Sequence, residues 1–394
     1  MLRIVPFGIA EVIIVKEILR FPYAELLREG GRDWLPEQER QETAEAVGRY
    51  LASCGFSAEF TGCRPGPVYS CYDFRLKPGE KLERRESAAV GLGEAMGIRG
   101  VFIRPIPGEQ SALGIEIPNR HAGTVTLRDV IESQRLRRSS SPLTCGLGWG
   151  TDGDAVTIDL LKLPHLLVSG AHGSGKSACL HAMILTLLSR AEPDEMKLLL
   201  IDPKAQEFTK YDGLPQLSMP VVTEPGRAVD ALQWAVDEIR RRYRLMEAYG
   251  EKDIESYNNW QADHQEMALP RIVIFIDELE ALMRENPRRT EENLCLLTQI
   301  GRASGIHVIA ATQNLTSSVI TDRIKSEMPD RIVFRTASTQ ESRSLLGDTG
   351  AEELENSGDM LITVTGMPIR RAHEADVRPD EIEAVAKYLR RGEK

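Results

Sequence analysis

The eight residues Gly170-Ala171-His172-Gly173-Ser174-Gly175-Lys176-Ser177 constrain this chain more than any other stretch. They fit G-x-x-x-x-G-K-S, the Walker A phosphate loop, which works only between a buried strand and the start of a helix. Both flanks are present. Leu166-Leu167-Val168-Ser169, after Pro164, reads as a buried strand, and Ala178 to Ser189 reads as an apolar helix. The glycines let backbone N–H groups turn inward onto phosphate oxygens, and the helix N-terminus adds a partial positive charge. In this pattern Lys176 reaches the β- and γ-phosphates of ATP, the Ser177 hydroxyl ligates Mg²⁺, and Gly170 to Gly175 line the phosphates.

A nucleotide site needs carboxylates opposite its loop. The buried run Ile272-Val273-Ile274-Phe275-Ile276 ends in Asp277-Glu278, which suits a Walker B strand. A strand of that kind delivers both groups to the carboxyl edge of an open sheet, where ligands bind in α/β folds. Asp277 is expected to hold Mg²⁺ through water, and Glu278 to orient or deprotonate the attacking water. Gln313, at the tip of the strand His307 to Ala311, is placed to sense the γ-phosphate. The transition state also needs a cation. Arg302 in Gly301-Arg302-Ala303-Ser304-Gly305, Arg331 after Pro329-Asp330, and Arg343 after Glu341-Ser342 compete for that role.

Strands and helices alternate from residue 165 onward, which predicts an α/β domain with a mostly parallel sheet. Its expected strands include Lys197–Ile201, ending in Asp202-Pro203-Lys204, then Arg271–Ile276, His307–Ala311, Arg331–Arg335 and Met360–Thr365. Helices are expected over Pro225–Tyr249 and Glu291–Ala303. Earlier residues read differently. A helix over Pro36–Leu51, β signals from Phe56, a strand over Val68–Leu76, a helix over Leu82–Met96, and strands at Val101–Ile103 and Leu113–Ile117 make a small α+β domain. Turns at Pro65-Gly66-Pro67 and Pro105-Ile106-Pro107-Gly108 separate them. Arg135 to Pro142 mixes charge with serine and reads as a linker or exposed loop, and Leu143–Gly148 with Ala155–Leu160 reads as a hairpin. The expected division is 1–40, an N-terminal extension; 41–122, the small domain; 123–378, the ATPase domain; and 379–394, a C-terminal helix and tail.

The formal net charge of -10 excludes a histone-like nucleic-acid binder, but leaves room for a local basic channel. The six cysteines form no C-x-x-C pair, and Cys54, Cys63 and Cys71 have no evident fourth ligand, so reduced thiols in a cytosolic protein are expected. No run of 18 apolar residues occurs, and Ile4 to Val15 is interrupted by Pro6, Gly8 and Glu11, so neither a membrane span nor a signal peptide is expected.

Several of these segments together resemble the FtsK/SpoIIIE family of DNA translocases. The carriers are Pro164 to Ser177; Leu200-Ile201-Asp202-Pro203-Lys204; Arg241-Arg242-Tyr243-Arg244-Leu245-Met246; Ile276-Asp277-Glu278; Ala303-Ser304-Gly305-Ile306-His307; Ala311-Thr312-Gln313; and Gly358-Asp359-Met360-Leu361. Pro65 to Val68 and Gly114 to Asn119 resemble the family's small alpha domain. The resemblance covers nearly all of residues 45–375. It implies a RecA-like P-loop NTPase motor and a hexameric ring that pumps double-stranded DNA through its centre with ATP and Mg²⁺. Relatives that push polypeptide make a secretion or conjugative-transfer ATPase the alternative.

The resemblance has departures. Family members of cell division begin with membrane spans and end in a winged-helix domain, and this chain shows neither. Gln313-Asn314-Leu315 also stands where the family usually has Gln-Arg-Pro. DNA binding without sequence preference is therefore expected, through Arg323, Lys325 and Arg335 before and within the strand that follows Pro329.

Overall fold

The chain is described here by a computed structural model covering residues 22–392, apart from 32–33, 81, 83–84, 107, 110 and 355–356. The apolar segment Ile4 to Val15 and the turn residue Pro107 lie outside the described residues.

Thr43, Ala44, Val47 and Leu51 are spaced for one face of a helix, and that face is buried in α2 (Glu37–Ser53), which follows the short α1 (Tyr23–Leu26). It covers an antiparallel sheet of β1 (Ala58–Arg64), β2 (Tyr69–Leu76), β3 (Phe102–Pro105) and β4 (Ala112–Pro118) in the order β1-β2-β4-β3. Helix α3 (Arg85–Met96) packs on the same core, where Leu92 meets Tyr72, Phe74 and Ile115.

The chain then passes through α4 (Leu127–Glu132) and α5 (Gln134–Arg137). The expected exposed loop keeps Arg135, Arg137, Arg138 and Ser140 exposed, but it begins as a short helix and is docked at Leu136. Leu136 is fully buried, and the Arg190 guanidinium donates to the carbonyls of Leu136, Ser139 and Ser141 at 3.2, 2.6 and 2.9 Å.

The larger sheet has nine strands. They are β5 (Thr144–Gly150), β6 (Ala155–Asp159), β7 (His165–Ser169), β8 (Met196–Ile201), β9 (Arg271–Ile276), β10 (Ile306–Thr312), β11 (Arg331–Phe334), β12 (Asp359–Thr363) and β13 (Arg370–Glu374). Their order is β6-β5-β13-β12-β11-β7-β10-β9-β8. The run from β11 to β8 is parallel; β12, β13, β5 and β6 extend it antiparallel. The parallel strands are apolar on both faces, as a sheet covered on both sides requires. Leu166, Val168, Val273 and Phe275 face one core; Leu167, Ile272, Ile274 and Ile276 face the other.

On the first face lie α6 (Lys176–Arg190) and α13 (Pro379–Arg391), whose Ile382, Val385 and Ala386 join that core. On the second lie α7 (Pro225–Ala248), α9 (Leu279–Glu285) and α10 (Pro287–Ser304). Shorter helices, α8 (Ile254–Asp263), α11 (Asp322–Glu327) and α12 (Thr339–Leu346), fill the connections. The phosphate loop leaves β7 and the paired carboxylates leave β9, with β10 between them, so all three strands aim their carboxyl ends at one edge.

Candidate active site

Burial shapes the loop. Ser169 is fully buried, and the chain then turns through left-handed backbone at Gly173 (φ 68°) and Gly175 (φ 116°), which L-residues avoid. At Gly175 the positive φ demands glycine, and a Cβ there would lie 2.4 Å from a Glu374 carboxylate oxygen and displace that side chain. The loop lies across the ends of neighbouring strands. Ala171 N–H donates to the Arg335 carbonyl at 2.8 Å, Gly358 N–H to the Ser174 carbonyl at 2.8 Å, and Ser357 Oγ to the Gly173 carbonyl at 3.1 Å. His172 and Gly173 are exposed at its crown. Lys176 is 6% exposed, and its Nζ donates to the carbonyls of Gly170 and Ala171 at 2.8 and 2.9 Å. Burial lowers its pKa to about 8, against the pull of Glu278 and Asp277.

Across the edge, Glu278 is 3% exposed and fully engaged. It accepts from Lys204 Nζ at 2.9 Å, Thr312 Oγ1 at 3.3 Å and the Gln313 N–H at 3.4 Å. Three strand ends, those of β8, β9 and β10, thus converge on one carboxylate. Asp277 beside it is pushed up to about 7, first by burial and then by the carboxylates of Asp202, Glu207 and Glu278. Asp202 Oδ2 accepts the N–H groups of Glu207 and Phe208 at 2.8 and 2.9 Å, while its buried Oδ1 has no partner among the described residues. Glu207 is held below the usual carboxylate range by a hydrogen bond with His181, with Ser177 adding and burial opposing. Sequence reasoning assigned no role to Asp202, Lys204, Glu207 or Thr312. The signal available was Asp202-Pro203-Lys204 directly after a buried strand of the same parallel sheet.

The edge therefore gathers Lys176, Ser177, Asp277, Glu278 and Gln313. It does not gather the arginines. Arg302 precedes β10, whose other end carries Gln313, so the seven residues of that strand, about 20 Å, separate it from its own phosphate loop. It is exposed and donates to the Leu161 carbonyl at 3.2 Å. Arg331 is committed to structure, because its guanidinium donates to the carbonyls of Met328, Leu345 and Lys325. Arg343 is exposed on α12. The basic residues weighed for DNA divide as well. Arg323 and Lys325 sit on α11 before β11, and Arg335 lies just past its far end, beside Ala171, not within the strand. Lys325 also contacts Ser344 Oγ at 2.9 Å and Asp322 at 3.6 Å.

All six cysteines are free thiols. Among the described residues no group of three or more His, Cys, Asp or Glu side chains could hold a metal ion by itself, and no helix is long and apolar enough to cross a membrane.

The sequence pattern of the FtsK/SpoIIIE family matches residues 126–317, and that of the FtsK alpha domain matches residues 21–119. DNA translocase FtsK of Caldanaerobacter subterraneus subsp. tengcongensis is 42% identical over 352 residues, 89% of this chain and 49% of that protein. DNA translocase SpoIIIE of Bacillus subtilis is 40% identical over 357 residues, 88% of this chain and 45% of that one. The chain thus spans about half the length of these relatives. Among solved structures, the pCW3 conjugation coupling protein TcpA, a monomer with ATPγS, aligns with a TM-score of 0.59 at 21% identity, over 88% of this chain and 99% of that one. The cytoplasmic domain of the Thermomonospora curvata type VII secretion ATPase EccC aligns with a TM-score of 0.57 at 24% identity, over 64% of this chain and 32% of that one. At such identities the likeness is one of fold alone. The two sequence patterns cover the small sheet and most of the large one, and on them the chain belongs to the FtsK/SpoIIIE family of P-loop ATPases.

Proposed function

We propose that this chain hydrolyses ATP as the motor of a cytoplasmic DNA translocase, working as a hexameric ring around duplex DNA. The observation that carries the reading is the division of the sheet. The acid–base and phosphate-binding groups meet at the carboxyl edge, while Arg302 stands exposed at the amino edge. An arginine so placed is too far from its own phosphate loop to act there, which supports a role toward a neighbouring copy in a ring. Relatives at 42% and 40% identity are named DNA translocases, which makes duplex DNA the substrate to test.

Magnesium fits the carboxylate edge. Asp277 is raised by burial and by the crowding of Asp202, Glu207 and Glu278, a concentration of negative charge that a divalent cation relieves. Ser177 and Asp277 would hold it, Asp277 through water. The absence, among the described residues, of an all-protein metal cage suits an ion that shares its shell with nucleotide phosphates. When bound, it neutralises charge on the transferred phosphoryl group.

The remaining work falls to protein groups. Lys176 exchanges the carbonyls of Gly170 and Ala171 for phosphate oxygens. Glu278 takes the proton of the attacking water, its carboxylate fixed by Lys204, Thr312 and the Gln313 N–H. The Gln313 side chain then senses the γ-phosphate, and Arg302 of the adjacent copy meets the charge developing there.

The test is ATP hydrolysis with and without linear duplex DNA, followed by mixing of Lys176→Ala with Arg302→Ala subunits. The proposal expects DNA stimulation, and partial recovery in the mixture, where an intact phosphate loop meets an intact arginine. Hydrolysis indifferent to DNA but stimulated by a polypeptide would favour the secretion alternative. Rings that form yet recover nothing at any ratio would remove Arg302 from the site.

A further inference from the structure

The hairpin of β12 and β13 has two working faces. Successive residues of a strand point to opposite sides, so Asp359 and Arg371 share one face, while Glu374 shares the other with Met360 and Ala372. The second face lies under α6 and the phosphate loop. There Glu374 crowds Gly175, and the Glu374 N–H donates at 2.8 Å to the Gly358 carbonyl. Gly358, the residue before Asp359, donates in turn to the Ser174 carbonyl within the loop.

The first face meets the small domain. Arg371 and Asp359 are both fully buried. The Arg371 Nε donates to Asp359 Oδ1 at 3.0 Å, and its Nη1 donates to the Gly100 carbonyl at 2.8 Å. The guanidinium carbon stands 3.5 Å from the centre of the Tyr69 ring and 4.4 Å from that of Phe102. Tyr69 Oη donates to Asp359 Oδ2 at 2.9 Å. The small domain thus contributes a ring above, a second ring, a carbonyl and a hydroxyl to one ion pair of the large sheet. A buried ion pair is costly unless every donor and acceptor is met, and here the completing partners come from the other domain.

We propose that Tyr69, Phe102, Asp359 and Arg371 position the phosphate loop, so that the seating of the small domain on this ion pair sets nucleotide affinity. This rests on the nucleotide reading of the loop given above. The physical route is short. Asp359 is held from the small-domain side, its neighbour Gly358 is bonded to Ser174, and the same hairpin brings Glu374 against Gly175. Loosening the grip on Asp359 lets Gly358 and Glu374 shift, and the loop's backbone N–H groups lose the inward arrangement that meets phosphate. Coupling also runs backward: nucleotide bound at the loop tightens the seating of the small domain, because linkage between two sites is reciprocal.

The experiment uses the full chain, a fluorescent ADP analogue and hydrogen exchange. Tyr69→Phe keeps the ring and removes the hydroxyl; Phe102→Leu keeps apolar bulk and removes the second ring. Each is expected to weaken analogue binding about three- to tenfold and to raise exchange at Gly173 to Lys176. Ile115→Val, in the small domain's own core, is the control for reduced stability. It is expected to lower the melting temperature while leaving affinity and loop exchange at wild-type values. A structural role alone predicts that all three variants track their melting temperatures, and that outcome overturns the proposal. Wild-type affinity in both Tyr69→Phe and Phe102→Leu overturns it as well. Failure of the wild type to bind the analogue would instead strike the nucleotide reading itself.

Discussion

Two histidines at the amino edge of the large sheet make a quantitative test of how its core is built. His165 opens β7 and His307 is the second residue of β10; they are 5% and 1% exposed. Val308, paired with His165 across the strands, donates its N–H to His165 Nδ1 at 3.2 Å, so that nitrogen is an acceptor. Burial lowers His165 to about 4 and His307 to about 3; at His307 the neighbouring His165 and then Arg271 act in the same direction, and Arg302 does so at both. Unfolded, each titrates near 6.5, which is an ordinary histidine value. The folded pKa is depressed, so the stability is fully present above pH 6.5 and is lost as the pH falls toward the folded values. At pH 5.0 the unfolded chain has taken up nearly one proton at each site and the folded chain almost none. The loss is about 2 kcal/mol per histidine, about 4 kcal/mol for the pair. Asp277, raised to about 7, works in the opposite sense over the same range, so the whole-protein curve alone is not diagnostic. The difference from His165→Asn/His307→Asn is. Urea unfolding followed by tryptophan emission at pH 7.5 and 5.0 should show the wild type losing about 4 kcal/mol more than the double variant. A pH dependence equal in both proteins would refute the claim that these side chains are held neutral.

Other outcomes follow from the site. Lys176→Ala should abolish hydrolysis and weaken nucleotide binding, whereas Glu278→Gln should keep binding and slow turnover by about 10²-fold or more, as a binding titration beside a turnover assay will show. Gly175→Ala must adopt φ 116° and crowd Glu374, so it should bind nucleotide poorly; adding Glu374→Gly removes the crowding but not the strain of about 1–2 kcal/mol, and should recover affinity only in part. If Arg323 and Lys325 meet the duplex, their joint replacement by alanine should reduce the salt dependence of DNA binding, by about 0.9 in the log–log slope for each phosphate no longer neutralised, and reduce DNA-stimulated but not basal hydrolysis. An unchanged slope would place them outside the DNA path.

What could be read in advance was whatever burial writes as an unbroken apolar run. The strands β7, β8, β9 and β10 are covered on both faces, so their sequences announce them, and a phosphate loop or carboxylate pair at their ends is easily placed. Strand β13 was missed for the opposite reason. Arg370-Arg371-Ala372-His373-Glu374 carries four polar side chains in five, and it is a strand because Asp359, Tyr69 and Phe102 accommodate Arg371 from three directions. None of those partners is near it in sequence except Asp359. The Lys204 bridge was missed on similar grounds, since a lysine after a strand takes its meaning only from the Glu278 carboxylate 74 residues away. Short helices such as α11 and α12 have too few turns to show a period.

The amino edge is as tightly specified as the carboxyl one. Arg242, on α7, is 2% exposed and satisfies its guanidinium with Glu238 Oε1, the Ser304 carbonyl and the Pro270 carbonyl, each at 2.8 Å. A buried guanidinium left unpaired costs several kcal/mol, so these contacts are strongly held. Two of them lie on the turns that enter β9 and β10. The second turn passes through Gly305 at φ 73°, three residues after Arg302. Arg302, in the last turn of α10, is therefore held next to a turn clamped to the same strands whose far ends hold Glu278 and Gln313. The parallel pairing of β9 and β10 links the two edges directly. If Arg302 acts in trans in a ring, the strands that carry Glu278 and Gln313 at one edge also carry the arginine offered to the next copy at the other.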